Sequence, residues 1–507
     1  MPRKPLASRK QRGQALIFIT VMLAVVLLSL VTMYSVGQLA TSKMKLQNTA
    51  DAAAYSGALT EARDYNFSAY ANRAMVANQV AVSQIVGLTS WARNYNNSFN
   101  GEFSAIPRIF AKLSPLGAMW SVPFKVLGKV AKSLQNVMDK VAPLMVKGLD
   151  YLIDALSDGS YAYHLATVVN LVQTVNDVVK ANDPDAEVSL SPAEVAFAAL
   201  HAADWYKFTK RFDPTLTGTT GSADSVQGGS SDRFANVTQF ASNDEFAKFR
   251  SYPWITPSLI DPTRLIPYNE GTMLMLAYHS GGTELKTGGN LNKKAWTALD
   301  ATGLFVIVMI WIPVFGVPVP IPIPLILPMG HGAAQAYSGS SANLQPQNNF
   351  NHNAVEAYGG AYVNPFTAVP AAIQLAEGPG KGLDTNAGLK KYMDVSDRKS
   401  GSGHEDFDAP GLVIEVKKDS SKIPTSNQAP LNVGTGGGDL YLPDDTEQNQ
   451  LRALSKAGAY FSRPTDLWPR SDGKTEYGSL YNPYWQVHLL PNSVIEQGAS
   501  ILGESLW

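Results

Sequence analysis

Histidine and carboxylate side chains are the first candidates for chemistry in this chain, because they are common ligands of divalent metals. The histidines stand at 164, 201, 279, 331, 352, 404 and 488, and no two of them are closer than 21 residues. No His-Glu-x-x-His motif occurs, and a chain without cysteine has neither thiolate ligands nor disulfides. The run from Gly403 to Asp408 is acidic, but it is typical of a solvated turn. The sequence predicts no metal and no cofactor, and it leaves open only ligands that converge in space.

Nucleophilic chemistry has an equally weak basis. Ser-x-x-Lys at Ser42, Ser-x-Asn at Ser98 and Lys-Thr-Gly at Lys286 occur in the order that penicillin-binding enzymes use, but each motif is short enough to arise by chance in 507 residues. No sheet-forming sequence precedes Ser42 to complete such a domain. Gly-Lys-Thr at Gly473 lacks the first glycine of a phosphate-binding loop, where Trp468 stands instead. We therefore predict that the protein is not an enzyme.

The elements that would position any site begin with a long apolar segment. No charged residue occurs between Arg12 and Lys43, and residues 15–36 are almost wholly apolar. As a helix this segment measures about 33 Å, which matches a hydrocarbon core of about 30 Å and exceeds the apolar core of a cleavable signal. Cations at 3, 4, 9, 10 and 12 precede it with no acid among them, which places residues 1–14 in the cytoplasm. The sequence predicts a single-pass membrane protein whose bulk lies across the membrane.

A short run after this segment carries a family resemblance. The sequence from Leu46 to Ala58 is LQNTADAAAYSGA, and it follows a span that opens with Arg12-Gly13. Residues 9–63, roughly an eighth of the chain, resemble the N-terminal module of the TadE/TadG-like proteins of Flp (tight adherence) pilus assembly. The resemblance implies a bacterial inner-membrane protein with a periplasmic bulk, whose partners are other Tad/Flp pilus-assembly proteins or pilins.

The same run has small residues on one helical face. Alanine and glycine at spacings of three and four leave nearly bare backbone, which lets another helix approach closely. The predicted helix-packing interface comprises Leu46, Ala50, Asp51, Ala53, Ala54, Gly57 and Ala58. The sequence leaves open whether this face packs on a partner or on later helices of the same chain.

Gly13 is a candidate processing site by analogy with pilins, which are cut after a glycine ahead of their apolar helix. Pilins carry an acidic residue five positions beyond that cut, and this chain has Phe18 there. An uncleaved anchor is therefore favoured. A large minor pilin, cut at Gly13 and incorporated into the fibre, stays as the alternative.

Composition indicates an ordered protein without a nucleic-acid partner. Hydrophobic residues make up 45% of the chain, the formal net charge is -1, and no nucleic-acid motif stands out. The roughly 470 residues beyond the apolar segment exceed one typical domain, so two or three lobes are expected.

The remaining sequence divides into regions of different predicted secondary structure. Residues 37–212 are predicted to be mostly helical, and a capping box at Ser191 opens a helix that runs to Phe212. Residues 213–231, rich in Gly, Ser and Thr, are predicted to be a linker, and residues 232–507 a mixed α+β region. The best-defined elements there are strands at 412–416 and 440–442 and a helix at 446–461.

Residues 304–329 have the apolar length of a second span but not its chemistry. Six prolines, at 313, 318, 320, 322, 324 and 328, each remove a backbone donor that a helix in lipid needs. The sequence instead predicts a Pro-rich extended hairpin, with a strand at 304–312, a turn at Phe315-Gly316 and an extended arm at 317–327. The side of the arm away from the prolines is a candidate docking arm unless it is buried in its own lobe, and it carries Val317, Val319, Ile321 and Ile323.

The predicted function is assembly or anchoring of a Flp-type pilus, by a non-enzymatic protein held in the lipid bilayer through residues 15–36. A membrane-tethered periplasmic hydrolase with an unrecognised site is the alternative from another functional class.

Overall fold

The structure is a computed structural model with side chains. It describes residues 14–101, 117–213, 233–242, 249–253, 273–287, 294–336, 388–395, 409–423, 450–464, 467, 469 and 478–498. Its helices are α1 (Gln14–Asn100), α2 (Gly117–Asn182), α3 (Pro192–Phe208) and α4 (Arg233–Ala241). Its strands are β1 (Ala186–Val188), β2 (Thr209–Phe212), β3 (Phe249–Pro253), β4 (Met273–Thr287), β5 (Lys294–Val314), β6 (Val317–Gln335), β7 (Tyr392–Val395), β8 (Leu412–Asp419), β9 (Gln450–Phe461) and β10 (Trp485–Leu490). The mixture of helices and strands agrees with the predicted class.

The amino-terminal part of α1 is long and apolar enough to cross a membrane, and no other helix among the described residues is. Its most apolar window has a mean hydropathy of 2.8, and its side chains, such as Leu16 at 71% exposure, are uncovered. The hydroxyls of Thr20 and Ser29 donate to the carbonyls of Leu16 and Val25, each at 2.8 Å. Both hydroxyls are thus hydrogen-bonded within the helix and do not need water as a partner. This part of α1 therefore fits a hydrocarbon environment.

The chain divides into two compact units, and neither is one continuous stretch. The first unit comprises Met1–Phe67, Tyr163–Thr209 and Ser400–Trp507, and the second comprises Ser68–Ala162 and Lys210–Lys399. Both long helices contribute to both units, because α1 changes unit after Phe67 and α2 after Ala162.

The first unit is built on an antiparallel sheet of order β1-β8-β9-β10. Helix α3 begins beside it at Ser191, whose Oγ accepts from the backbone N–H of Glu194 at 3.3 Å. Pro192 occupies the first turn, where a missing N–H does no harm. The helix was predicted to run to Phe212, but it ends at Phe208 because Thr209 takes an extended conformation and starts β2.

The predicted helix at 446–461 is wrong, because β9 occupies most of it as a strand. Its Ala and Lys content favours a helix when taken alone. In the fold, β9 pairs with β8 on one side and β10 on the other, and ladder hydrogen bonds on both edges outweigh that preference. The predicted strand at 412–416 lies within β8. The predicted strand at 440–442, and all of the predicted linker at 213–231 except residue 213, lie outside the described residues.

The second unit contains an antiparallel sheet of order β3-β4-β5-β6. Strands β5 and β6 form a long hairpin, and its two-residue turn consists of Phe315 (φ 56°) and Gly316 (φ 81°). Positive φ at both positions gives the turn whose twist suits antiparallel strands. The base of the hairpin packs on both long helices, in a core that includes Val86 of α1, Met138 of α2 and Trp296 of β5.

Helix α1 crosses edge strand β6 at very short range. Side chains of Asn97, Ser90 and Arg93 donate to three successive carbonyls of the strand, those of residues 331, 332 and 333, at 2.7, 3.1 and 2.7 Å. A Cβ on Gly332 would overlap the backbone of α1 at residues 90 and 94, and a Cβ on Gly330 would overlap Ser98. The two glycines are therefore a steric requirement of this crossing.

We predict that Gly332→Ala destabilises the second unit by at least about 2 kcal/mol, because rigid backbone would have to move. Urea unfolding of the full chain, followed through the buried Trp296, measures the change. The matched control is Gly159→Ala, which meets no atom within 4 Å and should stabilise α2 by up to about 1 kcal/mol. Equal unfolding midpoints for the two variants would contradict the close crossing.

Candidate functional site

The small-residue face of α1 is buried within the first unit. Leu46, Ala50, Ala53, Ala54 and Ala58 have no exposed surface. They contact α2 and strands β1, β8 and β9 of the same chain, in a core completed by Val175, Val179, Ala186, Leu412, Ile414, Val416, Ala453 and Ala457. The structure thus packs this face within the same chain, on one later helix and on three strands, where the sequence had left open a partner or later helices alone.

Gly57 lies at the closest point of this packing. A Cβ at that position would stand 2.5 Å from Leu412 Cδ2 and 3.0 Å from Val175 Cγ2. Both are ends of side chains rather than backbone, so a small addition displaces them and a large one separates the elements.

Asp51, the remaining member of the predicted interface, lies at the rim of the buried face and is half-buried. It accepts a hydrogen bond from Gln47 Nε2 at 2.9 Å, and the same amide donates to the Leu454 carbonyl of β9 at 3.1 Å. Lys43 donates to the Arg452 carbonyl of the same strand. This rim ties α1 to β9 by polar contacts around an apolar centre.

The buried face continues along α1 into two carboxylates, each paired with a histidine. Glu61 Oε1 lies 2.5 Å from His201 Nε2 of α3, and Asp64 Oδ2 lies 2.5 Å from His164 Nδ1 of α2. All four side chains are at least nine-tenths buried. The second oxygens, Glu61 Oε2 and Asp64 Oδ1, are buried without a hydrogen-bond partner among the described residues. Burial without partners disfavours two ionised carboxylates side by side.

The remaining hydrogen bonds of the imidazoles bear on their protons. His201 Nδ1 faces the Gly411 carbonyl at 3.2 Å, which can only accept, so this nitrogen carries a proton. The Glu61–His201 pair therefore shares one further proton between Oε1 and Nε2. Thr209 Oγ1 lies 3.2 Å from both the Trp205 carbonyl and His164 Nε2, and its single proton satisfies one of these two contacts.

The pKa shifts of these groups agree with shared protons in the buried pairs. Burial raises the pKa of Glu61 and of Asp64 above their ordinary values, although the facing histidines work against the shift. Burial alone would lower the pKa of His201, but the Glu61 carboxylate outweighs it and the net pKa is raised. These three shifts all favour retention of protons at Glu61, Asp64 and His201.

Aromatic rings enclose the two pairs. His164 stacks on Trp205 with ring centroids 4.0 Å apart, and Tyr65 packs between Phe208 and Trp485 at 5.7 and 5.0 Å. Burial, then the nearby carboxylates, raises the pKa of Tyr65 far above its ordinary value. Such a shell keeps water out and strengthens the short hydrogen bonds inside it.

Asp64, His164 and Thr209 have the order of a catalytic triad, in which the second imidazole nitrogen accepts the proton of the nucleophile. Thr209 is only 2% exposed, however, and its hydroxyl also lies 3.2 Å from the Trp205 carbonyl. A hydroxyl so deeply buried is closed to a substrate, so the arrangement fits a structural core better than nucleophilic attack.

The other residues singled out by the sequence do not form a site with these pairs. Ser42 belongs to the first unit, whereas Ser98 and Lys286 belong to the second. Among the described residues, no three His, Asp or Glu side chains are placed to hold a metal ion. Gly13 and the acidic run at 403–408 lie outside the described residues.

The candidate docking arm lies on β6. Val317, Val319 and Ile321 are 63%, 39% and 40% exposed, while the side chain of Ile323 is outside the description. Phe315 at the turn is fully exposed. Docking of this arm on another molecule stays a prediction.

The segment that leads to the buried pairs is also where a known family is recognised. Residues 13–62 match a family model described as "Putative Flp pilus-assembly TadE/G-like". This confirms the resemblance predicted for residues 9–63 and supports a role in Flp/Tad pilus assembly. No curated protein matches the chain. No solved structure matches it either.

The TadE/G-like segment contains the small-residue face and ends one residue after Glu61. Sequence reasoning missed the two pairs because His201 lies 140 residues from Glu61 and His164 lies 100 residues from Asp64. A signal was present, since Glu61 and Asp64 continue the same three-and-four spacing that the alanines establish. A carboxylate on a predicted buried face requires a partner.

We predict that Gly57→Leu destabilises the first unit by about 1–3 kcal/mol, because the added side chain displaces Leu412 and Val175. Membrane insertion should be unchanged, since residues 15–36 are intact. Thermal unfolding of detergent-solubilised protein measures the first effect and membrane fractionation the second. Gly37→Leu, at a position of α1 with no atom within 4 Å, is the matched control. If both variants melt alike, the tight packing at Gly57 is refuted.

A third carboxyl, that of Glu194, makes the folding stability of the first unit depend on pH. Burial raises the pKa of Glu194 from 4.5 to about 8, with Glu415 nearby. Between these values the folded state holds a proton that the unfolded chain has released, so stability falls as pH rises. The raised pKa values of Glu61 and His201 act in the same direction.

We therefore predict that the melting temperature of the full chain falls between about pH 5.5 and about pH 8.5, and that Glu194→Gln reduces this fall. Calorimetry or circular dichroism at several pH values provides the measurement. Glu187→Gln, at an exposed carboxyl of the same unit, should leave the pH dependence of the parent unchanged. A melting temperature that rises over this range would show that these carboxyls are ionised in the folded state.

Proposed function

We propose that this chain is a non-enzymatic protein of the bacterial inner membrane, anchored by α1, that acts in the assembly or anchoring of a Flp/Tad pilus. The observation that carries the proposal is the TadE/G-like match, which begins at the apolar segment and extends to the buried face. The exposed apolar surface of residues 15–36 supports the anchor.

In this role the TadE/G-like segment holds the first unit close to the bilayer. Shortly after the apolar segment, α1 contacts β9 through Lys43 and Asp183 through Lys45, the latter at 3.4 Å. Lys43 follows the apolar segment by only about two helical turns, or roughly 10 Å. In the proposed orientation the folded part therefore begins close to the periplasmic surface of the membrane.

The buried pairs serve this role as a structural core. Glu61 and Asp64 lock α1 to α3 and α2 by bonds that only a folded unit can make. Their protons are internal and reach no substrate, which supports a scaffold rather than a hydrolase.

The proposal is tested in the bacterium that carries the gene. Removal of the chain should reduce surface pili, measured as pilin in the sheared fraction relative to pilin in whole cells. An unrelated span in place of residues 15–36 should restore display, because the segment acts as an anchor. A version with a cleavable signal, which releases the rest of the chain, should not.

Normal pilus display without the chain would overturn the proposal. N-terminal sequencing of membrane-purified protein distinguishes an anchored assembly protein from a processed minor pilin. A chain that starts at Gln14 would show that the protein is cut at Gly13 and is a subunit of the fibre. Restored display by the released version would show that the anchor is dispensable.

A further inference from the structure

Helix α2 presents an apolar seam to the outside of the second unit. Residues 127, 130, 134, 137, 141, 144, 148, 151 and 155 alternate spacings of three and four without exception, and all are apolar or glycine. Most of them are exposed, with Val130 and Val137 at 54%, Leu144 at 72% and Tyr151 at 63%. The opposite side of α2 is buried through Met138, Ala142 and Val146. The seam is thus a second apolar face on a helix whose core-facing side is already in use.

Two of the five lysines in this stretch flank the seam: Lys140 lies one turn from Leu144, and Lys147 lies over the ring of Tyr151 at 5.8 Å. The five side chains, at 125, 129, 132, 140 and 147, are exposed, and none has an ion-pair partner among the described residues. The acidic residues of the same stretch are engaged elsewhere: Asp139 pairs with Arg93 at 2.8 Å, and Asp150 and Asp154 pair with Lys390 at 3.1 and 2.9 Å. The outer face of α2 therefore carries uncompensated positive charge next to exposed aliphatic groups.

The spacing identifies the kind of surface that fits. An alternation of three and four over four heptads, about 42 Å of helix, is the pattern of knobs-into-holes packing between helices. Exposed lysines at its flank favour a partner helix with acidic side chains beside its own apolar seam.

We propose that residues 125–155 of α2 are a docking surface for an acidic α-helix of another protein, with an apolar heptad seam flanked by Glu or Asp. This inference goes beyond the proposed pilus function and does not depend on it. The seam supplies the apolar contact, and Lys140 and Lys147 select the partner by charge.

The test uses the full chain in nanodiscs of neutral phosphatidylcholine and a labelled four-heptad peptide, with Leu at the two seam positions and Glu at the flanking positions. A second peptide has Lys in place of Glu. Fluorescence anisotropy should show at least about tenfold tighter binding of the Glu peptide, and about 0.5 M NaCl should reduce that preference.

Two variants localise the binding. Val137→Asp, in the seam, should weaken binding of the Glu peptide by at least about tenfold. The matched control Val195→Asp, at a valine of α3 with 56% exposure, should leave it unchanged. Lys140→Glu with Lys147→Glu, which alters only exposed side chains, should reverse the preference towards the Lys peptide. Circular dichroism of each variant establishes that the helices are retained.

Three outcomes would overturn the proposal. Equal binding of the two peptides, or binding that survives Val137→Asp, excludes a seam with charge selection. Stronger seam-dependent binding to phosphatidylglycerol vesicles than to the Glu peptide identifies a membrane surface instead. Self-association of the parent that Val137→Asp abolishes identifies a second copy as the occupant.

Discussion

Helix α1 meets strands β8 and β9 through its alanines and Gly57, and the first unit is arranged around that contact. Each alanine buries little area, but it costs almost no side-chain entropy and leaves room for larger side chains opposite. Strand β8 supplies Leu412, Ile414 and Val416 to this core, and β9 supplies Ala453 and Ala457. Larger residues on α1 would move the sheet away from the helix. The Gly/Ala content of the TadE/G-like segment is thus the local requirement for attaching a sheet to a membrane-proximal helix.

The same helix face carries carboxyl groups whose burial costs the first unit much free energy. Ionised carboxylates at Glu61 and Asp64 would be costly inside an aromatic shell, and the facing imidazoles lessen the cost by sharing one proton per pair. The pairs also give α1 a fixed rotation, since a helix turned by one residue would bring Ala62 and Tyr65, or Thr60 and Arg63, to the histidines. A core made of small apolar residues alone specifies rotation poorly. Buried hydrogen bonds of this kind restore a single arrangement.

Parts of this structure could be predicted from local sequence, and others could not. The apolar segment, the long helices and the cap at Ser191 depend on composition and spacing within a few turns, and the structure has them. Strand β9 was mistaken for a helix because its conformation is imposed by neighbours on both edges. The two units join stretches of chain hundreds of residues apart, a division that reading along the chain does not reveal. The buried pairs are non-local for the same reason. The position of their carboxylates on the buried face of α1, in contrast, follows from the helical spacing of the sequence.

The discontinuity of the first unit has a consequence for biosynthesis. The small-residue face of α1 leaves the ribosome first, but the strands that cover it follow about 350 residues later, which at ordinary rates of synthesis is roughly 20 to 70 s. Throughout that interval the small-residue face and the carboxylates of Glu61 and Asp64 lack the strands and histidines that cover them in the fold. For a chain anchored as proposed, membrane attachment would precede folding of the first unit, and this face would stay uncovered until its last strands are synthesised.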